Sequence, residues 1–112
     1  MKQIDFQNIH NILEQINIIE NFTFEYDFDK FTQDLKTQYS VVKAIELIAE
    51  NSNRLSDDFV LHHKELPIFE MRGMRNRLIH EYENVDLKIV WNVVEKDLPC
   101  FKKTILKLIE IL

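Results

Sequence analysis

Apolar residues recur at three- and four-residue spacing along most of the chain, which is the pattern of amphipathic α-helices. The first such stretch runs from Gln3 to about Asn21. The second runs from about Asp34 to Leu55, interrupted by Ser52. Its predicted core-facing positions are Leu35, Tyr39, Val42, Ile45, Ile48 and Leu55. Both stretches are predicted to be long amphipathic helices.

Two further helices are predicted in the last third of the chain. Asp86 is placed to cap a helix from Leu87 to about Lys96, after a connector through Val85. Pro99 then begins the last helix or kinks a continuous one. This last helix repeats its apolar positions as an a/d seam, which predicts packing against the core or a second subunit. The seam consists of Leu98, Phe101, Ile105, Leu108 and Leu112.

Between the first two helices, four aromatic residues alternate with polar ones: Phe22, Phe24, Tyr26 and Phe28. Alternation alone would indicate a strand, but no partner strand is evident elsewhere. We therefore predict an aromatic connection that ends in a short helical turn near Phe28–Phe31, capped by Asp27. A base-stacking surface is the functional alternative. Packing in the core or a dimer is favoured, because no basic residues interleave with these aromatics.

Three of the four histidines, His10, His62 and His63, are predicted to be surface residues. Ser56, followed by two aspartates, has the features of a helix N-terminus, and this short helix ends around His62 and His63. Adjacent histidines on a helix point about 100° apart, so they are predicted to be surface residues and not a shared metal site. His10 is predicted to be a solvated residue on the polar side of the first helix.

Composition supports an all-α fold in a single domain spanning residues 1–112. One glycine and two prolines leave few positions for sharp turns. Cys100 is the only cysteine, which excludes an intrachain disulfide and a multi-cysteine zinc site. It is predicted to be a small buried residue. The sequence contains no evident signal peptide or bilayer-length apolar run, so a cytoplasmic location without membrane association is expected.

The net charge of −5 argues against general nucleic-acid binding, which requires a basic surface. Positive charge is nevertheless concentrated in one short stretch, at Arg72, Arg75, Arg77 and His80. An acidic protein can still bind RNA at one focused basic cleft, particularly if a dimer brings two such clefts together.

That stretch is predicted to lie on a helix from Pro67 to about Glu81. At about 100° per residue, Arg75 falls on the apolar arc, and Asn76 and His80 lie one turn apart and able to touch. An arginine on an apolar arc requires partners or a ligand. A buried ion pair, with Glu50 as a reasonable partner, would explain Arg75 alone. It does not explain why an amide and an imidazole lie beside it.

The segment Arg75-Asn76-Arg77-Leu78-Ile79-His80-Glu81-Tyr82 resembles the R-x4-H-x-Y signature of the HEPN superfamily, in the form carried by HepT-like toxins. The resemblance extends over nearly the whole chain. It includes Ala49-Glu50-Asn51, where the family usually has Gly-Glu-Ala, and Leu66-Pro67 ahead of the motif helix. It also includes the segment from Val85 to Trp91, followed by Asp97-Leu98-Pro99.

This resemblance implies a dimeric, antiparallel bundle of four or five helices with a metal-independent ribonuclease site across the dimer cleft. It implies a toxin of a toxin–antitoxin system that acts on tRNA or mRNA. It further implies that a partner nucleotidyltransferase antitoxin of the MntA type attaches AMP to Tyr82, which blocks the site. ATP would be used by that partner, and no cofactor is implied for this chain.

The chemistry of the residues agrees with such a reaction. An RNA 2′-hydroxyl requires a base of near-neutral pKa, a proton donor for the leaving oxygen and a cation for the phosphorane. His80 suits proton transfer, Arg75 suits phosphate binding, and Asn76 can orient the imidazole or donate to phosphate. Arg72 and Arg77 are candidate supporting cations.

Two other functional classes agree with the same residues. The chain could be a non-catalytic HEPN subunit that binds a nucleotide or RNA for a nucleotidyltransferase, with Arg75 and His80 as phosphate ligands. It could also be a plain helical dimer whose motif residues form a buried polar network. In that case Arg75→Ala would mainly lower stability.

Overall fold

The computed structural model describes residues 2–80 and 84–111. Seven α-helices and one short pair of strands follow one another in these ranges. They are α1 Gln3–Phe22, α2 Phe28–Thr32, α3 Leu35–Asn53, α4 Asp57–His62, α5 Ile68–Leu78, β1 Ile79–His80, β2 Asn84–Val85, α6 Leu87–Asn92, a π-helical turn Val93–Asp97 and α7 Leu98–Ile111. The predicted all-α class is confirmed, with β1 and β2 as a two-residue antiparallel exception.

Helices α1 and α3 pack side by side in opposite directions and form the centre of the core. The direction follows from two polar contacts between the start of α1 and the end of α3. The Asp5 carboxylate accepts from the Ser56 backbone N–H and hydroxyl, both at 2.7 Å. The Asn11 amide donates to Asn51 at 3.1 Å. Fully buried isoleucines of both helices fill the interface: Ile9, Ile12, Ile16, Ile45 and Ile48.

The predicted helix caps are confirmed. The side chains of Asp27, Ser56 and Asp86 each accept from a backbone N–H in the first turn of the following helix. Asp34 caps α3 in the same way, through the backbone N–H of Thr37. Caps of this kind satisfy N–H groups that have no partner within the helix. The segment between α1 and α2 forms turns, as predicted, and the Glu25 backbone is left-handed there at φ 61°.

Several predicted burials are wrong. Leu35 and Tyr39 are 64% and 72% exposed, because they lie on the outer face of the first turns of α3, whereas Thr37 and Val41 form the buried face. Cys100 is exposed on α7, on the opposite side from the buried positions of the a/d seam. His10 is half-buried against Phe6, with ring centroids 4.4 Å apart, and is therefore not the solvated side chain that was predicted.

Pro99 stands in a continuous helical segment and does not end it. Helix α6 passes through the π-helical turn Val93–Asp97 directly into α7. In a regular α-helix the Pro99 ring would clash with the carbonyl of Glu95, and its missing N–H would leave that carbonyl unpaired. The wider π turn lies where this conflict arises. The predicted helix boundary near Lys96 is thus replaced by a local widening.

No helix within the described ranges combines the length and apolar character needed to cross a bilayer.

Candidate active site

An open cavity of about 340 Å³ lies between α3 and α5. Its volume is at the lower end of the range of small-molecule sites, roughly 300–1,000 Å³. Three residues of the basic stretch line it on the α5 side, and four residues of α3 line the other side. The lining residues are Arg72, Arg75, Asn76, Glu46, Ala49, Glu50 and Asn53. The structure therefore brings two of the predicted arginines and the predicted asparagine to one site.

The α3 side of the cavity is a polar stripe along one helix face. Glu46, Ala49, Glu50 and Asn53 are spaced at three, four and seven residues, so they share that face. Ala49 is buried and small, which leaves room between the helices at this point. Sequence reasoning missed Glu46 and Asn53. The polar spacing in α3 was the signal that could have found them.

Arg72 is a structural member of the site. Its Nε donates to the carbonyl of Ser52 at 3.0 Å, and its Nη2 donates to the carbonyl of Leu55 at 3.3 Å. The carbonyls at the end of a helix lack intrahelical partners and carry partial negative charge, so a guanidinium is well suited to satisfy them. Ser52 is fully buried against this helix pair, which explains its small side chain. Arg72 thus joins the end of α3 to α5.

Arg75 and Asn76 are exposed, which contradicts the alternative of a buried Arg75 ion pair and agrees with an arginine that lines a cleft. The buried face of α5 is formed by Ile68, Met71, Met74 and Leu78. Arg75 projects onto this arc, but the facing part of α3 is the polar stripe and not core. Neither Arg75 nor Asn76 makes a side-chain hydrogen bond or ion pair with the described side chains. A guanidinium and an amide are therefore both exposed to the cavity.

Glu50 is not the partner of Arg75 that the sequence suggested. Its carboxylate pairs with Arg54 one turn later, at 2.6 Å, and both side chains are about half exposed. An i,i+4 pair of this kind on a helix surface is local and weak. Glu50 remains at the rim of the cavity, where it is close enough to influence bound anions.

Arg77 lies on the other side of α5 and does not reach the cavity. Its Nη2 pairs with Asp97 of the π-helical turn at 3.2 Å. Two residues separate Arg77 from Arg75, which corresponds to about 200° around a helix. Arg77 is therefore excluded as a direct supporting cation of this cavity.

The helix that carries the motif ends earlier than predicted. Helix α5 ends at Leu78, and the backbone of Ile79 and His80 pairs with Asn84 and Val85. The predicted geometry, with His80 one helical turn after Asn76, is therefore wrong. The antiparallel pairing turns the chain back towards α6, and the Asp86 N–H donates to the Leu78 carbonyl at 3.2 Å. The side chain of His80 and all of Glu81 and Tyr82 lie outside the described part of the chain.

Comparison with known proteins identifies the family. The model of the family "Ribonuclease HepT-like" matches residues 12–108. A protein of Thermococcus cleftensis named "Probable ribonuclease HepT" is 41% identical over 102 residues, covering 91% of this chain and 93% of its own. A Methanocaldococcus jannaschii protein named "Putative RNase MJ1380" is 35% identical over 97 residues, covering 87% of this chain and 89% of its own. No solved structure matches. With a helical bundle, an Arg75–Asn76 cavity and matches over most of its length, this chain belongs to the HepT-like ribonuclease family.

Proposed function

We propose that the protein is a metal-independent endoribonuclease toxin that cleaves tRNA or mRNA. The observation that carries the proposal is the exposed guanidinium of Arg75 beside the Asn76 amide in an open cavity. A guanidinium can bind phosphate through two hydrogen bonds. Since neither group makes a side-chain hydrogen bond to the described side chains, a ligand phosphate could bind there without displacing a structural contact.

The proposed reaction uses the nucleophile of RNA itself. The 2′-oxygen forms a bond to phosphorus and loses its proton to a base, and the bond from phosphorus to the 5′-oxygen breaks. The products are a 2′,3′-cyclic phosphate and a 5′-hydroxyl. His80 transfers the protons, and Arg75 stabilises the charge that develops on the phosphorane oxygens. Asn76 donates to a phosphate oxygen, and Arg72 keeps α5 in place against α3.

We further propose that the active form is a homodimer. A second groove continues from the cavity along α3 and shares Glu46 with it. It is lined by Tyr39, Val42, Val85 and Leu87, and Tyr39 is largely exposed. Gln38, Lys43 and Glu46 complete the lining, and Val42, Val85 and Leu87 are half-buried. An exposed aromatic ring beside such side chains favours burial against a partner. A second copy on this face would bring two Arg75 cavities together, so that one RNA strand would contact the arginines of both chains.

Inactivation by AMP transfer to Tyr82 completes the proposal. A nucleotidyltransferase antitoxin would attach the AMP group from ATP to the Tyr82 hydroxyl and release pyrophosphate. Tyr82 follows His80 by two residues in the sequence. A bulky anion attached there would compete with RNA phosphate for Arg75. This arrangement supports the assignment of a toxin controlled by its partner.

The second candidate function is a non-catalytic HEPN subunit that binds a nucleotide or RNA for a nucleotidyltransferase. Glu46 and Glu50 favour it, because two carboxylates line the cavity opposite Arg75. They reduce the positive potential available to a phosphorane. A neutral cavity could bind a nucleotide through its base and sugar as well as its phosphate.

The deciding experiment is incubation of the purified protein with total tRNA in EDTA, beside His80→Ala and Arg75→Ala. His62→Ala is the matched control, since His62 is an exposed histidine away from the cavity. Intact mass first identifies protein that already carries AMP. We expect cleavage by wild type and by His62→Ala, with loss of at least about 100-fold in His80→Ala, the lower range for general acid–base catalysis. An unmodified, dimeric wild type that cleaves no RNA would instead support the binding subunit.

A further inference from the structure

Another groove, called here the Trp91 groove, lies along α6 and the π-helical turn. It is lined by Phe28, Lys88, Trp91, Asn92, Glu95 and Lys96. An adjoining depression extends it past Lys88 and Asn92 to Arg77. Arg77 is two residues from Arg75 on the same helix. The adjoining depression therefore connects the Trp91 groove to the helix that carries the proposed catalytic arginine.

The Trp91 groove is cationic relative to the rest of this acidic chain. Lys88 and Lys96 are exposed, and neither has an ion pair with a described residue. Glu95 contributes the opposing charge along the groove. At the α5 end, Arg77 is neutralised by Asp97 at 3.2 Å. Two lysines and one glutamate line the groove, which gives its described lining a local positive excess in a chain of net charge −5.

Trp91 provides an aromatic surface between these lysines. One side of the indole packs on Phe31, with ring centroids 5.1 Å apart and planes at 34°. Phe31 is fully buried, so this contact fixes the indole. Trp91 and Phe28 are both half-buried and line the groove together. A fixed, half-exposed indole offers a flat surface that loses little conformational freedom when a planar group stacks on it.

We propose that the Trp91 groove binds a single-stranded segment of the RNA substrate, with a base stacked on Trp91 and phosphates on Lys88 and Lys96. This inference rests on the proposed ribonuclease function. Aromatic rings combined with cations form the usual binding surface for single strands, because every base has a π face. A duplex does not fit this chemistry, since its bases are stacked on one another. The sequence disfavoured Phe28 as a stacking residue for lack of nearby cations, and folding supplies them from α6 and the π-helical turn.

Trp91 is the only tryptophan, so its fluorescence reports on this groove alone. The test uses full-length His80→Ala protein, which is expected to bind RNA without cleaving it, and a short oligouridylate. We expect saturable quenching of Trp91 fluorescence. Trp91→Leu should weaken binding by about 5- to 150-fold, the range for one stacked base, measured by anisotropy of a labelled oligouridylate.

The double variant Lys88→Gln/Lys96→Gln tests the phosphate contacts separately from the indole. It should lower the slope of log affinity against log salt by about 1.4, since each phosphate contact with a single strand contributes about 0.7. Lys103→Gln/Lys107→Gln is the matched control, because both lysines are exposed on α7 and line neither groove. This control removes the same formal charge, and we expect it to change the slope of log affinity against log salt much less. Thermal melts establish whether each variant is folded. If Trp91→Leu does not fold, the comparison of the two double lysine variants tests whether the groove binds RNA.

Three results would overturn the inference: no RNA binding, RNA binding without quenching of Trp91, or equal effects of the two lysine pairs. Quenching by an oligoglutamate as strong as by RNA would also overturn it in favour of an acidic protein partner. The outcome is separable from the proposed function. If wild type cleaves tRNA and the Trp91 groove variants bind RNA normally, RNA binding by the groove is refuted and the ribonuclease function is retained. If RNA quenches Trp91 fluorescence but wild type cleaves no RNA, the ribonuclease function is refuted and RNA binding by the groove is retained.

Discussion

Replacing Arg72 with alanine should destabilise the fold, whereas the same change at Arg75 should not. Arg72 donates to the carbonyl of Ser52 in the last turn of α3 and to that of Leu55 just after the helix, at 3.0 and 3.3 Å. Arg75 is exposed and makes no side-chain hydrogen bond to the described side chains. Two arginines three residues apart on one helix are therefore assigned different roles. The free energies of unfolding of their alanine variants test this assignment.

The size of the effect follows from the contacts that are lost. A hydrogen bond to a charged group contributes about 1.5–3 kcal/mol. Arg72 is half-buried, and water can reach the freed carbonyls through the open cavity, so we take about 1–1.5 kcal/mol for each bond. Arg72→Ala should then lower the free energy of unfolding by about 2–3 kcal/mol. At about 4 °C per kcal/mol for a domain of this size, Tm should fall by about 8–12 °C.

Urea unfolding followed by circular dichroism measures these differences. Arg72→Lys keeps the charge but can replace only one of the two directed bonds, so its loss should be about half that of Arg72→Ala. Arg75→Ala should stay within about 0.5 kcal/mol of wild type, as exposed substitutions do. All proteins must be compared at one concentration, because a dimer would make stability depend on concentration.

Two results would refute this division of roles. If Arg72→Ala unfolds within about 0.5 kcal/mol of wild type, its carbonyl contacts do not contribute to stability. If Arg75→Ala is as destabilised as Arg72→Ala, Arg75 has a structural partner, and the plain helical dimer regains support.

Two further predictions concern stability. Asp5→Ala should lower the free energy of unfolding by about 2–3 kcal/mol in urea titrations, because it leaves the Ser56 N–H and hydroxyl without their partner at a buried site. For Asp34, hydrogen bonds from Thr37 and Tyr26 lower the carboxyl pKa from 3.8 to about 2. Its contribution to stability is then complete above pH 3.8 and is lost as pH falls through about 2. The Tm difference between wild type and Asp34→Asn should therefore shrink between pH 6 and pH 2.

A control variant tests the Asp34 prediction, and an unchanged stability would contradict the Asp5 prediction. Asp29→Asn removes an exposed carboxylate near Asp34 without removing a cap, so its Tm difference should change little with pH. A constant Tm difference for Asp34→Asn across the same pH range would contradict the assigned cause. For Asp5, a stable alanine variant with an unchanged urea midpoint would show that the link between α1 and the start of α4 is not needed.

The features that the sequence predicted well are local ones. Asp27, Ser56 and Asp86 were recognised as caps, and each accepts a hydrogen bond from a residue two or three positions later. Such contacts lie within one helical turn, so their geometry follows from spacing alone. The long helices were predicted for the same reason, since periodicity of apolar residues is read directly from the chain.

Predictions failed where a distant segment decided the outcome. Helical periodicity extended the motif helix to Glu81, but backbone pairing of His80 with Asn84 ends that helix at Leu78. The apolar arc indicated only that Arg75 needs partners or a ligand, and its exposure to the cavity depends on the polar stripe that α3 presents. Helical projection gives the direction of a side chain but not what lies opposite it.

The sequence by itself determined the all-α class and the helix starts, and it supplied the residues that we propose bind and cleave a phosphodiester. Those properties follow from local spacing and from side-chain chemistry. The tertiary structure alone decided that Arg72 binds helix-end carbonyls, that Arg77 pairs with Asp97, and that Arg75 is exposed beside Asn76. It also brought Phe28 and Trp91 together with Lys88 and Lys96. The physical reason is that a charged side chain acts through its partners, and these partners come from segments of the chain that only folding brings into contact.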